Sequence, residues 1–439
     1  MVGKSNPIVV GLTGQFGAGC TEVVAEYLKE EGFHYYSLSD IVKASVQKKL
    51  GAFEYQKLSE NKKDLRRLLQ NEGNKFREAG SDAIAKVIYE EIKKDDVKED
   101  IVIDSIRNPA EVEFLSLAFK RFFFLALDVS SEVRWLRKES DYEGDIDRFK
   151  QDDMRDKGDE EPIHGQHTEA CVYLSDVVID NEKQIGYRQE WDLFFYKIKQ
   201  YIDLMKNPGY RGPTYKELYM HLAYAVSLKS SCNKRQVGAI IVSSGVPETV
   251  VPDTGTVLRP RHEVESYILA SGYNDVPIGE RVCSELGGRG NPRFCSKDDY
   301  EQKALKAMKY CPGCGTELNI PSGEVVGFRC PKCNARLPRD FMAGRLLDLC
   351  RSVHAEEAAI LQAAKLGSSS LNGAELYTTT FPCLLCCKSI INAGIKKIIY
   401  REPYPMDESV KMLRHCGILL EKYEGVNAWA FDKLFRVTM

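Results

Sequence analysis

The chain of 439 residues has no apolar run approaching the roughly 18–20 residues that span a bilayer, so it predicts no transmembrane helix and no membrane partner. It also lacks an excess of charge of either sign. A net charge of -3 leaves no footprint of a general nucleic-acid binder, although a local basic patch stays open. No internal repeat is found, which excludes solenoids and propellers. Met1-Val2-Gly3-Lys4 leads directly into a strand-like segment, and this predicts a cytoplasmic protein without a secretory leader. Cysteine, by contrast, is plentiful at 14 residues. Large disulfide frameworks belong mainly to small secreted domains, and six of these cysteines fall at metal-type spacings. A reducing compartment with zinc is therefore the expectation. The length predicts two or three domains.

Strands and helices alternate through the first part of the chain. Pro7–Thr13, Ile101–Asp104, Phe122–Leu127 and Val177–Asn181 are apolar runs of the kind buried in parallel sheets, with helical stretches between them. Residues 1–206 are thus expected to form a doubly wound α/β domain. Asn207-Pro208-Gly209-Tyr210-Arg211-Gly212-Pro213 reads as a linker, and 214–439 as a second α/β domain. In the second domain a helix is predicted from about Thr214 to Leu228. Strands are predicted at Val237–Val242 and Ser266–Gly272, followed by an insertion at about 283–345.

His354-Ala355-Glu356, with Pro382-Cys383-Leu384-Leu385-Cys386 downstream, has the layout of a catalytic zinc site. One histidine and two thiolates supply three ligands and leave the fourth tetrahedral position to water. Zinc lowers the pKa of that water towards about 7. Glu356 is not needed as a ligand and is free to carry a proton to a ring nitrogen and a leaving amine. This arrangement is that of zinc deaminases as a class. The alternatives are chance proximity or a closed structural site. Helices are predicted from His354 to Gly367 and from Cys383 to Gly394, with a strand at Ala374–Thr380 between them. The ligands then lie at helix N-termini, which favour thiolate over thiol. Cys311-Pro312-Gly313-Cys314 and Cys330-Pro331-Lys332-Cys333 form a C-x2-C-x15-C-x2-C pair inside the insertion, the spacing of a closed structural zinc ribbon. Two zinc ions per chain are expected.

Gly14 through Thr21 matches G-x-x-x-x-G-K-[ST] except that Cys20 stands in the lysine place. Gly14, Gly17, Gly19 and Thr21 can still cradle phosphate and meet Mg2+, while the absent ammonium removes a contact that phosphoryl transfer uses. Asp104 is a candidate carboxylate for the ion and Arg107 a candidate phosphate contact. A purely structural loop, with Asp104 capping a turn, is the alternative. Arg134–Glu161 is dense in charge of both signs and reads either as a mobile lid or as a solvated helical face. Lys229, Lys234, Arg235 and Asn274 are candidates for holding a nucleotide's phosphates and sugar. Surface charge and a turn asparagine are the plain alternative.

From about Tyr210 onward the chain resembles deoxycytidylate deaminases. The resemblance rests on Ser230-Ser231-Cys232, Arg235-Gln236-Val237-Gly238-Ala239, Gly272-Tyr273-Asn274, His354-Ala355-Glu356 and Phe381-Pro382-Cys383-Leu384-Leu385-Cys386. It implies a cytidine-deaminase-like fold and hydrolysis of deoxycytidine nucleotides, dCTP or dCMP, in homo-oligomers commonly of six. It further implies Asn274 on the deoxyribose, zinc on His354, Cys383 and Cys386, and the proton on Glu356. The family usually has glycine after the Asn274 position, where this chain has Asp275. The first domain resembles nucleoside-phosphate kinases with a defective phosphate loop. The whole is similar to bacterial anti-phage deoxycytidine nucleotide deaminases, which implies depletion of dCTP under control of the first domain by a nucleotide effector or a small RNA. A dCMP deaminase supplying dUMP for dTMP synthesis, and a deaminase of RNA or single-stranded DNA, are the competing readings.

Overall fold

Four short runs of apolar residues in the first half pair as parallel strands, because each is apolar on both faces and needs cover on both, and a fifth, more polar strand joins them at the sheet edge. The computed structural model describes residues 7–158, 161–182, 188–244, 249–250, 257–258, 266–287, 294–321, 328–338, 350–367, 370–403 and 407–436. In chain order the strands are β1 (Val9–Thr13), β2 (His34–Ser37), β3 (Ile101–Asp104), β4 (Phe122–Asp128), β5 (Val177–Asp180) and β6 (Gly238–Val242). There follow β7 (Thr249–Val250), β8 (Val257–Leu258), β9 (Ile268–Tyr273), β10 (Glu375–Thr380), β11 (Lys397–Glu402), β12 (Leu419–Lys422) and β13 (Gly425–Val426). Two compact units result. One is Met1–Glu217 with Glu248–Arg259 and Tyr423–Met439, the other Leu218–Pro247 with Pro260–Lys422.

The first unit holds a sheet in the order β13-β5-β4-β1-β3-β2. β1 to β5 run parallel, and only β13 is antiparallel to its neighbour β5. Alternate side chains feed two cores, one on each face. Val10, Leu12, Phe123, Leu125 and Leu127 belong to one, and Val9, Ile101, Ile103, Phe122 and Phe124 to the other. The sheet is therefore wound with helices on both sides. At the C-terminus the structure differs from the division at 214–439, since Tyr423–Met439 falls in the first unit. Val426 pairs with Val177, the Asn427 side chain donates to the Ser175 carbonyl at 2.8 Å, and Val426, Ala430 and Leu434 enter the first core. Burial of those side chains holds the terminal segment there.

The second unit holds β12-β11-β10-β6-β9, with β10, β11 and β12 parallel and β6 and β9 antiparallel to their neighbours. Two glycines admit helices to this sheet. A Cβ on Gly272 would lie 2.3 Å from the Ala355 carbonyl oxygen, and one on Gly238 would lie 1.9 Å from that of Ala223. The helix Ala355–Leu366 packs over the first, using Ala355, Ala359 and Ala363, and the helix Tyr215–Ser227 packs over the second. The result is a mixed sheet between helices, as the resemblance implies. The cysteine-rich insertion carries the helix Ser296–Ala307 and a small core of Leu305, Leu318 and Leu337; its expected end, near 345, lies outside the described residues. Among the described residues no helix is long and apolar enough to cross a membrane.

Candidate functional site

Helix N-termini bring the downstream motif together. His354 is the N-cap of Ala355–Leu366, Cys383 is the N-cap of Leu384–Asn392, and Cys386 lies in the first turn of the latter. Their donor atoms lie within 4.8 Å of one another. His354 Nδ1 is 3.3 Å from both Cys383 Sγ and Cys386 Sγ. Tetrahedral zinc with its usual bond lengths would separate such N and S atoms by about 3.6 Å, so the donor set fits the ion with a shift of a few tenths of an ångström. The Cys383 thiol is pushed down to about 4, first because Cys386 donates a hydrogen bond to it. Cys386 is driven up by the same shared proton. The imidazole of His354 is raised to about 10 by its hydrogen bonds with Cys350 and Cys383. The three shifts all arise from protons shared within the cluster, and it is the convergence of its three donor atoms that offers a place to a cation.

Glu356 lies 4% exposed beside this cluster, and its carboxylate accepts from Cys386 Sγ at 3.6 Å. Burial raises its pKa to about 7. A carboxyl balanced there both takes up and releases a proton at neutral pH, which suits general acid–base work. Nearby, Asp275 and Val353 exchange backbone hydrogen bonds at 3.2 and 2.8 Å, so the turn carrying Asn274 lies against the residue before His354. Asn274 is buried. Its Oδ1 accepts from the Val237 N–H at 2.7 Å and its Nδ2 donates to the Arg235 carbonyl at 2.9 Å. It thereby ties the 230–237 loop to the end of β9. Of the candidate cations, Arg235 pairs with Glu402 at 2.5 Å, Lys234 pairs with Asp298 at 2.5 Å, and Lys229 is exposed. Asp275 is occupied locally, accepting from Ser231 Oγ and from the Val276 N–H.

The second cysteine cluster forms two matching turns. Gly315 and Asn334 donate back to the Cys311 and Cys330 carbonyls, each at 2.9 Å or less, with φ values of 69° and 59°. Sγ–Sγ separations are 3.6 Å for Cys311–Cys333 and 3.5 Å for Cys314–Cys330. Four thiolates around zinc lie about 3.8 Å apart, so this set too fits the ion and leaves no position for water. The Thr316 hydroxyl holds the Cys314 thiol down at about 6, which favours the thiolate form.

In the first unit, the loop after β1 turns on Gly17 and Gly19 at φ 83° and 98°. Thr21 Oγ1 donates to Asp104 Oδ2 at 2.6 Å, bringing those two residues together. Burial raises the Asp104 carboxyl. The Cys20 thiol donates to the Thr13 carbonyl at 3.2 Å and is pushed up by burial. It is turned into the fold. Arg66, Arg107 and Lys138 line the cavity over the loop, of about 140 Å³. The solvated face expected within 134–161 is only part of what the structure holds: Asp147, Lys150 and Gln151 are exposed, while the opposite face is buried and charged. Arg134 and Asp153 form a buried bidentate pair, and Asp156, fully buried, accepts from the Phe16 N–H at 3.1 Å, Arg66 at 3.2 Å and Arg107 at 2.5 Å. The sequence reading did not single out Arg66, Asp156, Cys350 or Glu402. Only the close spacing of Asp152, Asp153 and Asp156 offered a signal, and their burial depends on partners far away in sequence.

Compared with known proteins, residues 263–402 match the model of the cytidine and deoxycytidylate deaminase zinc-binding region. The chain is 26% identical over 251 residues to the deoxycytidylate deaminase of Schizosaccharomyces pombe, covering 57% of this chain and 54% of that protein. It is 28% identical to the deoxycytidylate deaminase of Enterobacteria phage T4, over 45% of this chain and 84% of the phage protein. It is 33% identical to a tRNA-specific adenosine deaminase of Buchnera aphidicola, over 29% of this chain and 80% of that protein. The chain spans about half the length of the first curated relatives it matches, 54% and 48%.

Proposed function

We propose that this chain, which belongs to the cytidine and deoxycytidylate deaminase family, hydrolyses the exocyclic amine of deoxycytidine nucleotides, releasing ammonia and the deoxyuridine nucleotide. The observation that carries this reading is the three-donor cluster of His354, Cys383 and Cys386 with the buried Glu356 beside it. Zinc held by those three donors would lower the pKa of water to about 7 and so supply the nucleophile. Glu356 takes a proton from the attacking water and delivers it to N3 of the cytosine as the C4–O bond forms, then takes the remaining proton from that C4 hydroxyl and delivers it to the departing N4 amine. The C4–N4 bond breaks and a C4–O bond remains. Asn274 is assigned to the sugar, reached from the turn beside Val353. Arg235, Lys234 and Lys229 are assigned to the phosphates, for which Arg235 and Lys234 exchange their carboxylate partners.

The remaining parts of the reading rest on the two-unit architecture. The first unit is a kinase-like domain whose loop holds a nucleotide with Mg2+ at Thr21 and Asp104, near Arg107. Cys20 in the lysine place makes it a controller of the second unit. Two zinc ions per chain, a cytoplasmic homo-oligomer, and depletion of dCTP and dCMP in phage defence under a nucleotide or small-RNA signal complete it. The test is direct. Purified chain is given dCMP, dCTP, CMP, dAMP and a cytidine-containing oligonucleotide, and uracil product is followed by chromatography. Turnover of dCMP or dCTP is the expected result. Turnover of the oligonucleotide alone replaces this reading with the polynucleotide one, and no turnover of any substrate removes it.

A further inference from the structure

The turn that ends β9 carries Asp275, at the position where the deaminases this chain resembles have glycine. Its backbone exchanges hydrogen bonds with Val353 at 3.2 and 2.8 Å, so it stands across from the residue that precedes the donor His354. Only one of its carboxylate oxygens is engaged. Ser231 Oγ and the Val276 N–H, the latter at 2.8 Å, both donate to Oδ1 and fix the side chain on the turn. Oδ2 has no hydrogen-bond or ion-pair partner among the described residues, and the side chain is partly exposed. The cations of the neighbouring loop do not neutralise it, because Lys234 is paired with Asp298 and Arg235 with Glu402. An open carboxylate oxygen beside a pocket for an anionic nucleotide is unfavourable unless the ligand brings a donor to it.

Asn274 completes the turn. Its Oδ1 is taken by the Val237 N–H and one N–H of Nδ2 by the Arg235 carbonyl, which leaves the second amide N–H. An amide donor and a carboxylate acceptor on consecutive residues match a hydroxyl, which both accepts and donates. They do not match a phosphodiester, which is anionic and has no proton to give. A deoxynucleoside 5′-phosphate has one free sugar hydroxyl, at C3′, and inside a polynucleotide that oxygen is esterified. Glycine at this position offers neither the acceptor nor the charge.

We propose that Asp275 is a specificity residue that reads the 3′ end of the sugar. Its Oδ2 accepts a hydrogen bond from the 3′-hydroxyl of a free deoxycytidine nucleotide, and its charge turns away a 3′-phosphodiester. The pocket thereby takes free nucleotides and excludes a cytidine inside a polynucleotide chain, although both substrate classes share the zinc chemistry. The assignment rests on the deaminase reading above and on its placement of the sugar at the Asn274 turn.

The test uses the full zinc-loaded chain. Wild-type kcat/KM is measured for dCMP and dCTP, for their 2′,3′-dideoxy and 3′-fluoro-2′,3′-dideoxy counterparts, and for deoxycytidine 3′,5′-bisphosphate. The 3′-hydroxyl should be worth about 10–100-fold, the factor of a hydrogen bond to a charged group. Fluorine, which accepts but cannot donate, should restore none of it. Asp275→Asn keeps an oxygen for Ser231 and Val276 and removes the charge. It should cut the hydroxyl preference at least about fivefold and raise kcat/KM for the bisphosphate about tenfold. The proposal falls if the wild type treats hydroxyl and dideoxy forms within about threefold, or if fluorine restores the preference. It also falls if Asp275→Asn melts within about 3 °C of the parent and keeps both the preference and the exclusion of the bisphosphate. Calorimetry on Glu356→Ala, which consumes no probe, should give the same 3′-hydroxyl preference in Kd for dCMP and dCTP. That preference in a chain whose wild type deaminates nothing would uphold Asp275 and remove the deaminase reading. Equal turnover of dCMP and its dideoxy form would do the reverse.

Discussion

Replacing Glu356 with glutamine separates chemistry from metal binding more cleanly than any other single change. The side chain is 4% exposed, contributes none of the three clustered donor atoms, and touches the cluster only through Cys386 Sγ at 3.6 Å. Glutamine has the same length and shape, so zinc should stay. What it cannot do is accept and return a proton. General acid–base catalysis contributes about 10²–10⁴-fold, and each decade corresponds to about 1.4 kcal/mol of barrier, so kcat/KM should fall by about 3–5 kcal/mol in free-energy terms. Stability should not fall with it. The native carboxyl is desolvated enough to be raised to about 7, and a neutral amide escapes that penalty. The assay pairs uracil formation from dCMP and dCTP with metal analysis and a melting curve on one preparation. Wild-type activity in Glu356→Gln would refute the proton role. Loss of zinc in the variant would refute the claim that Glu356 stands outside the ligand set.

Three further outcomes follow from the same geometry. Cys311→Ala or Cys330→Ala should lower the zinc content from two ions to one and reduce the melting temperature, while the folded fraction keeps kcat/KM within about threefold; a single zinc in fully active wild-type protein would refute the second site. Arg235→Ala should raise KM for dCMP and dCTP by about tenfold and leave deoxycytidine unchanged, whereas Glu402→Gln, which frees Arg235, should lower it; equal effects on nucleoside and nucleotide would remove Arg235 from the phosphate. Arg134→Met strands the buried Asp153 carboxylate and should destabilise the first unit by about 3 kcal/mol, the low end of the range for a broken buried pair because Lys157 remains 3.0 Å from Asp153. Urea denaturation followed by Trp135 fluorescence reads this, and an unchanged midpoint would refute it.

Much of the fold is legible in the sequence for one physical reason. β1, β3, β4 and β5 are covered on both faces, so they must be apolar at nearly every position, and that leaves a continuous run. Strand β2 has no such run. His-Tyr-Tyr-Ser lies at the sheet edge with its first residue exposed, and its pattern does not stand out from a loop. The return of Tyr423–Met439 to the first unit is invisible for a different reason. Gly425 and Val426 form a strand of two residues whose partner, β5, lies some 250 positions earlier, and nothing local encodes that pairing.

The same distinction between local and distant encoding divides the candidate site. His354, Cys383 and Cys386 are readable because their spacing serves two tasks at once. Each helix N-terminus needs its cap or first-turn residue at a set place, and the metal needs a donor at that same place, so the chemistry is written into the helix starts. Glu402 and Asp156 answer to no such local rule. Glu402, at the end of β11, holds Arg235 from before β6, and Asp156 gathers Phe16, Arg66 and Arg107 from three separate elements. Their effect exists only once the sheet order is set. The charge-dense stretch 134–161 shows how far this reaches, since a pattern that reads as solvated becomes one of the most buried ionic networks in the first unit. Isolated, a buried Asp153 or Asp156 would cost several kcal/mol; paired with arginines brought by other elements, each helps hold the loop after β1 in place instead. The positions at which polarity is buried are thus where function in the first unit is to be sought, and Gln70 and Arg77 are among those at which a buried polar atom is still open, with Gln15, Arg66, Asn74 and Arg148.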